Sequence, residues 1–342
     1  MKKRLIIYLL FAFCGVSANA QRVVLIEQFT NSGCPICATH NPAVNNFVAA
    51  NGGQVVSISY HTSFPYSDSM YFENPIESNE RVAFYNVVGV PYSIVDGNYY
   101  RNPSSVFGPV ISTTITNRLN DAPDYLITSI YNEIDVSANK IDAELVFTSL
   151  NANNINDSLQ AMIVVIENTV LKSSYAGSPG ANTETEYKYV MRKMIPGSAG
   201  TTLLNKNLSG TDTISFDWTF QNIKNINEVK VIAFVQNVNT QEVYQAASFT
   251  PTILTSVNTP ADFFSVNCFP NPATKILLIH TSGTRNEGQF ILTNMIGQTI
   301  WTGKFNSADK LVHIDVSQFP KGSYVLTVFD GMNTKHSKVI LQ

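Results

Sequence analysis

The stretch FTNSGCPICATHNP, residues 29–42, places Pro35 and Ile36 between two cysteines, Cys34 and Cys37. Three arrangements share this spacing: a redox pair, half of a metal site, or a fixed disulfide staple. A zinc site needs a second pair of ligands. His40 lies only three residues past Cys37 and Cys268 is far along the chain, while His61, His280, His313 and His336 show no ligand spacing. No metal and no cofactor is expected. A staple and a redox pair look the same at this level.

The flanks add context. RVVLIEQFT, residues 22–30, is a β-rich apolar run, and the turn NSG follows it. A helix is expected to start near Cys34 and to break or kink around Pro42. Pro35 suits a first helical turn, where its missing donor costs nothing, and Gly33 closes the turn before it. A helix N-terminus offers unpaired amides and a positive dipole end to the sulfur of Cys34. That favours a thiolate there, so Cys34 is the candidate nucleophile and Cys37 the resolving thiol.

Further on, QVVSISYH (54–61) reads as a strand and 62–78 as an aromatic loop with a short helix. SNERVAFYNVVG (78–89) reads as a helix capped by Ser78. VPYSIVDGNYY gives a short strand and a turn at Asp96-Gly97, and residues 107–121 read as a closing helix. The order β-α-β-α-β-(β)-α is an α/β layout for residues 21–121. The texture then changes. From 122 to 250, seven short runs alternate with period two and are joined by Asn, Gly and Ser, which predicts an antiparallel β-sandwich. PTILTSVNTPAD (251–262) reads as a linker, and residues 263–342 as a smaller all-β sandwich. The fold class is therefore multidomain, with an α/β unit followed by two β units.

Compartment follows from the first residues. Lys2, Lys3 and Arg4 precede an apolar segment, Leu5 to Phe13, and Ala18-Asn19-Ala20 is a small-x-small cleavage site. Residues 1–20 thus read as a signal peptide, and no later segment reads as a transmembrane helix. Loss of those three leader cations from 22 basic residues leaves 19 against 25 acidic ones, with no basic block. Nucleic acid is therefore not an expected partner. An exported compartment permits disulfides.

CPIC together with GVPYSIVDG (89–97) resembles the thioredoxin superfamily over about residues 22–120. The resemblance implies a cis peptide at Val90-Pro91 facing the cysteines. It also implies backbone hydrogen bonds from Val90 to an extended substrate, and exchange with protein or peptide thiols and disulfides. Two positions depart from the family: Gln28 stands where a buried acid is frequent, and Gly33 where tryptophan is frequent. Strand alternation turns the neighbouring Glu27 to the other face. VLIEQFTNSGCPIC, KYVMRKMIPG and VKVIAFVQNVNTQEVYQA resemble thioredoxin-like outer-membrane proteins of Bacteroidetes, the 28-kDa major antigen type.

The C-terminal part resembles a type IX secretion sorting domain. The matching runs are Phe269-Pro270-Asn271-Pro272-Ala273, Asn294-Met295-Ile296-Gly297-Gln298, Ile314-Asp315-Val316-Ser317, Pro320-Lys321-Gly322-Ser323-Tyr324 and Lys338-Val339-Ile340-Leu341. This implies that residues 263–342 engage the type IX machinery and that the chain reaches the outer-membrane surface or the medium. Three functions stay open, one of them envelope maturation without turnover, through chaperone-like binding of extended chains. The leading one is an exported thiol–disulfide oxidoreductase, and the next is a non-catalytic surface binding or adhesion protein on a stapled scaffold.

Overall fold

A computed structural model describes residues 21–102, 109–152, 156–175, 179–254, 265–282, 287–306, 311–329, 331 and 334–342. The expected signal peptide and most of the expected linker lie outside these residues. The chain forms two compact units, residues 20–260 and a second containing 261–342. Both are built around β-sheets, so the protein is multidomain and mostly β.

The first unit begins with β1 (Val24–Thr30), α1 (Pro35–Ala50), β2 (Val55–His61), α2 (Ser69–Glu73), α3 (Pro75–Tyr85), β3 (Tyr92–Val95), β4 (Tyr100–Asn102) and α4 (Pro109–Leu119). β1 lies between β2, to which it is parallel, and β3, to which it is antiparallel. All seven of its residues are buried, because both faces of the strand are covered. Val24 and Ile26 pack with Val44 and Val48 of α1 and Ile111 and Ile115 of α4. Leu25 and Phe29 pack on the other face with Ile58, Tyr60 and Tyr85.

Two local expectations are corrected. α1 runs unbroken through Pro42 to Ala50; the exposed ring removes one helical amide donor without ending the helix. α3 starts at Pro75, not Ser78. Proline at the first helical position sets the start; Asn74 at the cap makes no side-chain capping bond, and its amide donates to the Arg192 carbonyl at 3.0 Å.

The chain continues with β5 (Tyr125–Asp135), β6 (Lys140–Ser149), β7 (Leu159–Leu171), β8 (Glu186–Ile195), β9 (Thr201–Thr202), β10 (Thr211–Thr219), β11 (Val229–Asn237), β12 (Val243–Phe249) and β13 (Thr252–Leu254). β10, β6, β5 and β13 form a four-stranded sheet; β13 falls where a linker was expected and pairs in parallel with β5. The other strands extend the first sheet in the order β12-β11-β7-β8-β2-β1-β3-β4. The join is one parallel bridge, Ser59 to Val190. The border expected at residues 121/122 is therefore crossed by a continuous sheet. β7 again shows why: Ile163 and Val165 face Leu145 and Phe147 of the four-stranded sheet, whereas Met162, Val164 and Ile166 join the core of Leu25 and Phe29.

The second unit contains β14 (Ser265–Phe269), β15 (Ile276–Ser282), β16 (Gly288–Asn294), β17 (Thr299–Phe305), β18 (Leu311–Asp315), β19 (Gly322–Phe329) and β20 (Thr334–Leu341). They make two sheets, β14-β15-β18 and β17-β16-β19-β20. Leu277, Ile279, Phe290, Leu292, Leu326 and Val328 share one core between them. Among the described residues no helix is long and apolar enough to cross a membrane.

Candidate functional site

Cys34 is the N-cap of α1, in extended backbone conformation, and its sulfur accepts from the Cys37 amide at 3.2 Å. One orphan donor of the helix start is thereby satisfied. Pro35 follows at the first helical position and is exposed, as is Ile36. The turn before the helix is fixed by Asn31. Its amide donates to the carbonyls of Thr62 and Tyr66 at 2.9 and 2.7 Å, and its oxygen accepts from the Gly33 amide at 2.8 Å. Gly33 is required by close approach: a Cβ there would lie 2.6 Å from the Cβ of Tyr66.

Cys34 and Cys37 are free cysteines, 2% and 0% exposed. The Val90–Pro91 peptide is cis, and the Cys34 sulfur lies 3.9 Å from the Val90 carbonyl oxygen. Pro91 is buried and Val90 half-buried. The structure thus gathers Cys34, Cys37, Val90 and Pro91 at one place, with Gly33 and Pro35 shaping the backbone between them. Burial pushes the Cys37 thiol well up, and the neighbouring Cys34 thiol pushes the same way; hydrogen bonds from the Asn31 backbone and the Thr30 side chain oppose them.

Several residues at this site escaped the sequence reading. Below the pair, Asn41 of α1 donates to Thr30 Oγ1 at 3.0 Å and to Glu184 at 2.8 Å, and accepts from Gln28 at 2.6 Å. Burial raises the Glu184 carboxyl, despite hydrogen bonds from Asn41 and Asn182. Beside Thr30, His61 Nδ1 meets Asp68 Oδ2 at 2.6 Å. Burial works to raise the Asp68 carboxyl, but His61 and the Ser32 amide outweigh it and hold it below the usual range. From the far half of the chain, Asn182 bonds the carbonyl of Ser32 through its own amide at 3.0 Å. The signal for Thr30 and His61 was alternation: with Gln28 and Ser59, they occupy the α1 face of β1 and β2. Asn182 and Glu184 carried no local signal.

Glu27 faces the opposite side. Its carboxylate accepts from Arg81, Tyr85 and Tyr60 in a fully buried cluster. Arg81 also donates to Gln236 of β11 at 3.0 Å. The coulombic pull of Glu27 raises Arg81 against the cost of burial, while burial and Glu27 together raise Tyr60 and Tyr85.

Residues 267–342 match the secretion system C-terminal sorting domain family. The chain has no significant sequence match among curated proteins. Among solved structures it is similar to HBP35 of Porphyromonas gingivalis, with 16% identity and a TM-score of 0.57, over 94% of this chain and 99% of that one. A protein of Agrobacterium tumefaciens matches at 14% identity and TM-score 0.45, over 70% of this chain and 100% of that one. A domain of the outer membrane lipoprotein Omp28 from P. gingivalis matches at 15% identity and TM-score 0.28, over 40% of this chain and 93% of that one. The first shares the fold; the other two scores are too low to carry an argument. The sorting tail engages the type IX secretion machinery and marks this chain as a protein exported to the outer-membrane surface or the extracellular medium.

Proposed function

We propose that this protein is an exported thiol–disulfide oxidoreductase acting on extended protein or peptide segments. In this reading residues 21–121 are a thioredoxin-like domain of the 28-kDa major antigen type, and residues 122–250 a β-sandwich joined to it. The observation that carries the proposal is the placement of the Cys34 sulfur. It caps a 16-residue helix, accepts the Cys37 amide, and lies 3.9 Å from the Val90 carbonyl. A sulfur bearing negative charge is favoured at a helix start. Cys34 would attack a substrate disulfide, and Cys37 would displace the substrate from the mixed disulfide. The backbone of Val90, before Pro91, would pair with the substrate chain. Ile36 and Tyr66, near Cys34, and Val88, near Val90, are exposed apolar side chains, which suits apolar residues on either side of the substrate cysteine. No cofactor is needed, because the two sulfurs hold the electrons.

A second reading rests on burial. Cys34 is only 2% exposed, and residues 179–182 and Tyr66 crowd the turn that carries it. A permanently bridged pair there would serve a non-catalytic surface binding or adhesion protein. Equilibrating the full chain with a glutathione ladder and weighing the products decides between them. Rapid exchange at a potential between roughly −270 and −120 mV supports the enzyme. A pair that stays oxidised below about −300 mV, or reacts only after unfolding, leaves the staple.

A further inference from the structure

The pair presents a chemical difficulty. Cys37 must lose a proton before it can attack Cys34, yet its thiol is fully buried and pushed up by that burial. On α1 Cys37 lies one turn before Asn41, both on the buried face, and Asn41 donates to Thr30 Oγ1 at 3.0 Å, which brings Thr30 to the Cys37 side of β1. Thr30 also lines a cavity of about 10 Å³ together with Gln28, Asn41, Ser59, His61 and Glu184. That volume suits a single water molecule, and the lining is polar enough to hold one.

His61 is the register partner of Thr30 on the adjacent parallel strand, so the two side chains stand side by side on one face. The imidazole is 3% exposed. Asp68, kept charged, accepts the Nδ1 proton and fixes the tautomer. In the neutral ring Nε2 then carries the lone pair, and it is buried without a hydrogen-bond partner. A buried ring nitrogen left bare is costly unless it has a use or a water.

Resting on the exchange reading above, we infer that His61 is the proton acceptor of Cys37, reached through the Thr30 hydroxyl and one water in this cavity, with Asp68 as its positioning residue. In the step, the Cys37 S–H proton passes to His61 Nε2, leaving an imidazolium against Asp68. The Cys37 thiolate attacks Cys34 Sγ and forms the Cys34–Cys37 bond. The bond from Cys34 to the substrate sulfur breaks, and that sulfur leaves as a thiolate with the electron pair. The protein dithiol is oxidised by two electrons and the substrate disulfide is reduced by two. The imidazolium then returns its proton to solvent.

The groups that face His61 are Asp68 from the loop before α2, Glu184 from the segment before β8, and Tyr187 and Lys188 of β8. Asp68 Oδ2 lies 2.6 Å from His61 Nδ1, so Asp68 is the carboxylate that holds the imidazolium, while burial raises Glu184 and Tyr187.

Ellman's reagent separates the two steps in a stopped-flow experiment on the full chain. Cys34 attack releases one thionitrobenzoate, and Cys37 attack on the resulting mixed disulfide releases the second. In His61→Gln the first phase should stay as in the unsubstituted chain. The second should slow about a hundredfold near neutrality, within the range for general base catalysis. It should then climb about tenfold per pH unit as the raised Cys37 thiol ionises unaided. Superimposable second-phase profiles from pH 6 to 9 would overturn the inference. Should His61→Gln not fold, the ring-nitrogen NMR titration of His61 in the unsubstituted chain decides instead. Its midpoint should move between the dithiol and disulfide forms, and identical titrations would overturn the linkage. A chain in which Cys34 gives no first phase loses the exchange reading, and the same NMR comparison still tests the contact between His61 and Cys37.

Discussion

Ser32, two residues before Cys34, donates its hydroxyl to the Pro179 carbonyl at 2.9 Å, across 147 positions of sequence. The cysteine turn is therefore held by the far half of the chain. Gly180 sits so close that a Cβ would fall 2.3 Å from Ser32 backbone and side-chain atoms. Gly180→Ala is expected to push the two segments apart, at a cost of about 1–3 kcal/mol for overpacking. Alkylation of Cys34 in the native state should then be faster, which mass spectrometry of iodoacetamide time courses would read. An unchanged rate with an unchanged urea midpoint would show that residues 179–182 do not guard the sulfur.

The Glu27–Arg81 pair lies wholly out of solvent and ties β1 to β11 through Gln236. Removing one partner of such a pair leaves a bare buried charge, at roughly 3–5 kcal/mol. Arg81→Met should lower stability by about that amount in denaturant melts. Adding Glu27→Gln should recover part of the loss, because the neutral amide still accepts from Tyr60. Additive losses in the double variant would mean that the ion pair is not the source.

The readings of this chain that came from local pattern fared differently from those that needed partners distant in sequence. The helix start at CPIC follows from Pro35 and the turn before it, and the apolar strands follow from their composition. The break at Pro42 did not occur, since α1 runs on to Ala50 with the ring on its exposed side. The Ser78 cap failed because Pro75 outweighs it. Thr30 and His61 were recoverable from alternation, but their shared register was not. Glu184 and Asn182 were beyond reach: they arrive from more than 140 residues away, through a sheet joined at Ser59 and Val190.

Asp68 gives the fold an acid-sensitive point. Its carboxyl is held below the usual range by His61 and Ser32 against burial, so the folded chain binds this proton more weakly than the unfolded one. The stability it contributes is complete above the ordinary aspartate value near pH 4 and is lost as pH falls through the lower folded value. Glu184, raised by burial, has the opposite sign: its contribution is present at low pH and fades as pH rises through its folded value. Urea midpoints between pH 3 and 7 should therefore fall less steeply on acidification in Asp68→Asn than in the unsubstituted chain. Equal slopes would remove Asp68 from the account.

Deleting residues 267–342 removes the sorting domain match. The shortened chain should remain inside the cell envelope, while the full chain reaches the surface or the medium. Fractionation followed by surface proteolysis reads the difference. Surface exposure of the shortened chain would place the export signal elsewhere.

The sheet that crosses residues 121/122 also sets what can be inherited as a piece. A fragment ending there would strip Leu25, Phe29, Ile58 and Tyr60 of Val164, Ile166, Ile232 and Phe234, the residues that complete their core. It would also leave Arg81 without Gln236. A gene segment encoding the cysteine half alone would therefore specify an unfinished, sticky half-protein, and recombination could move this pair of halves only as a single cassette.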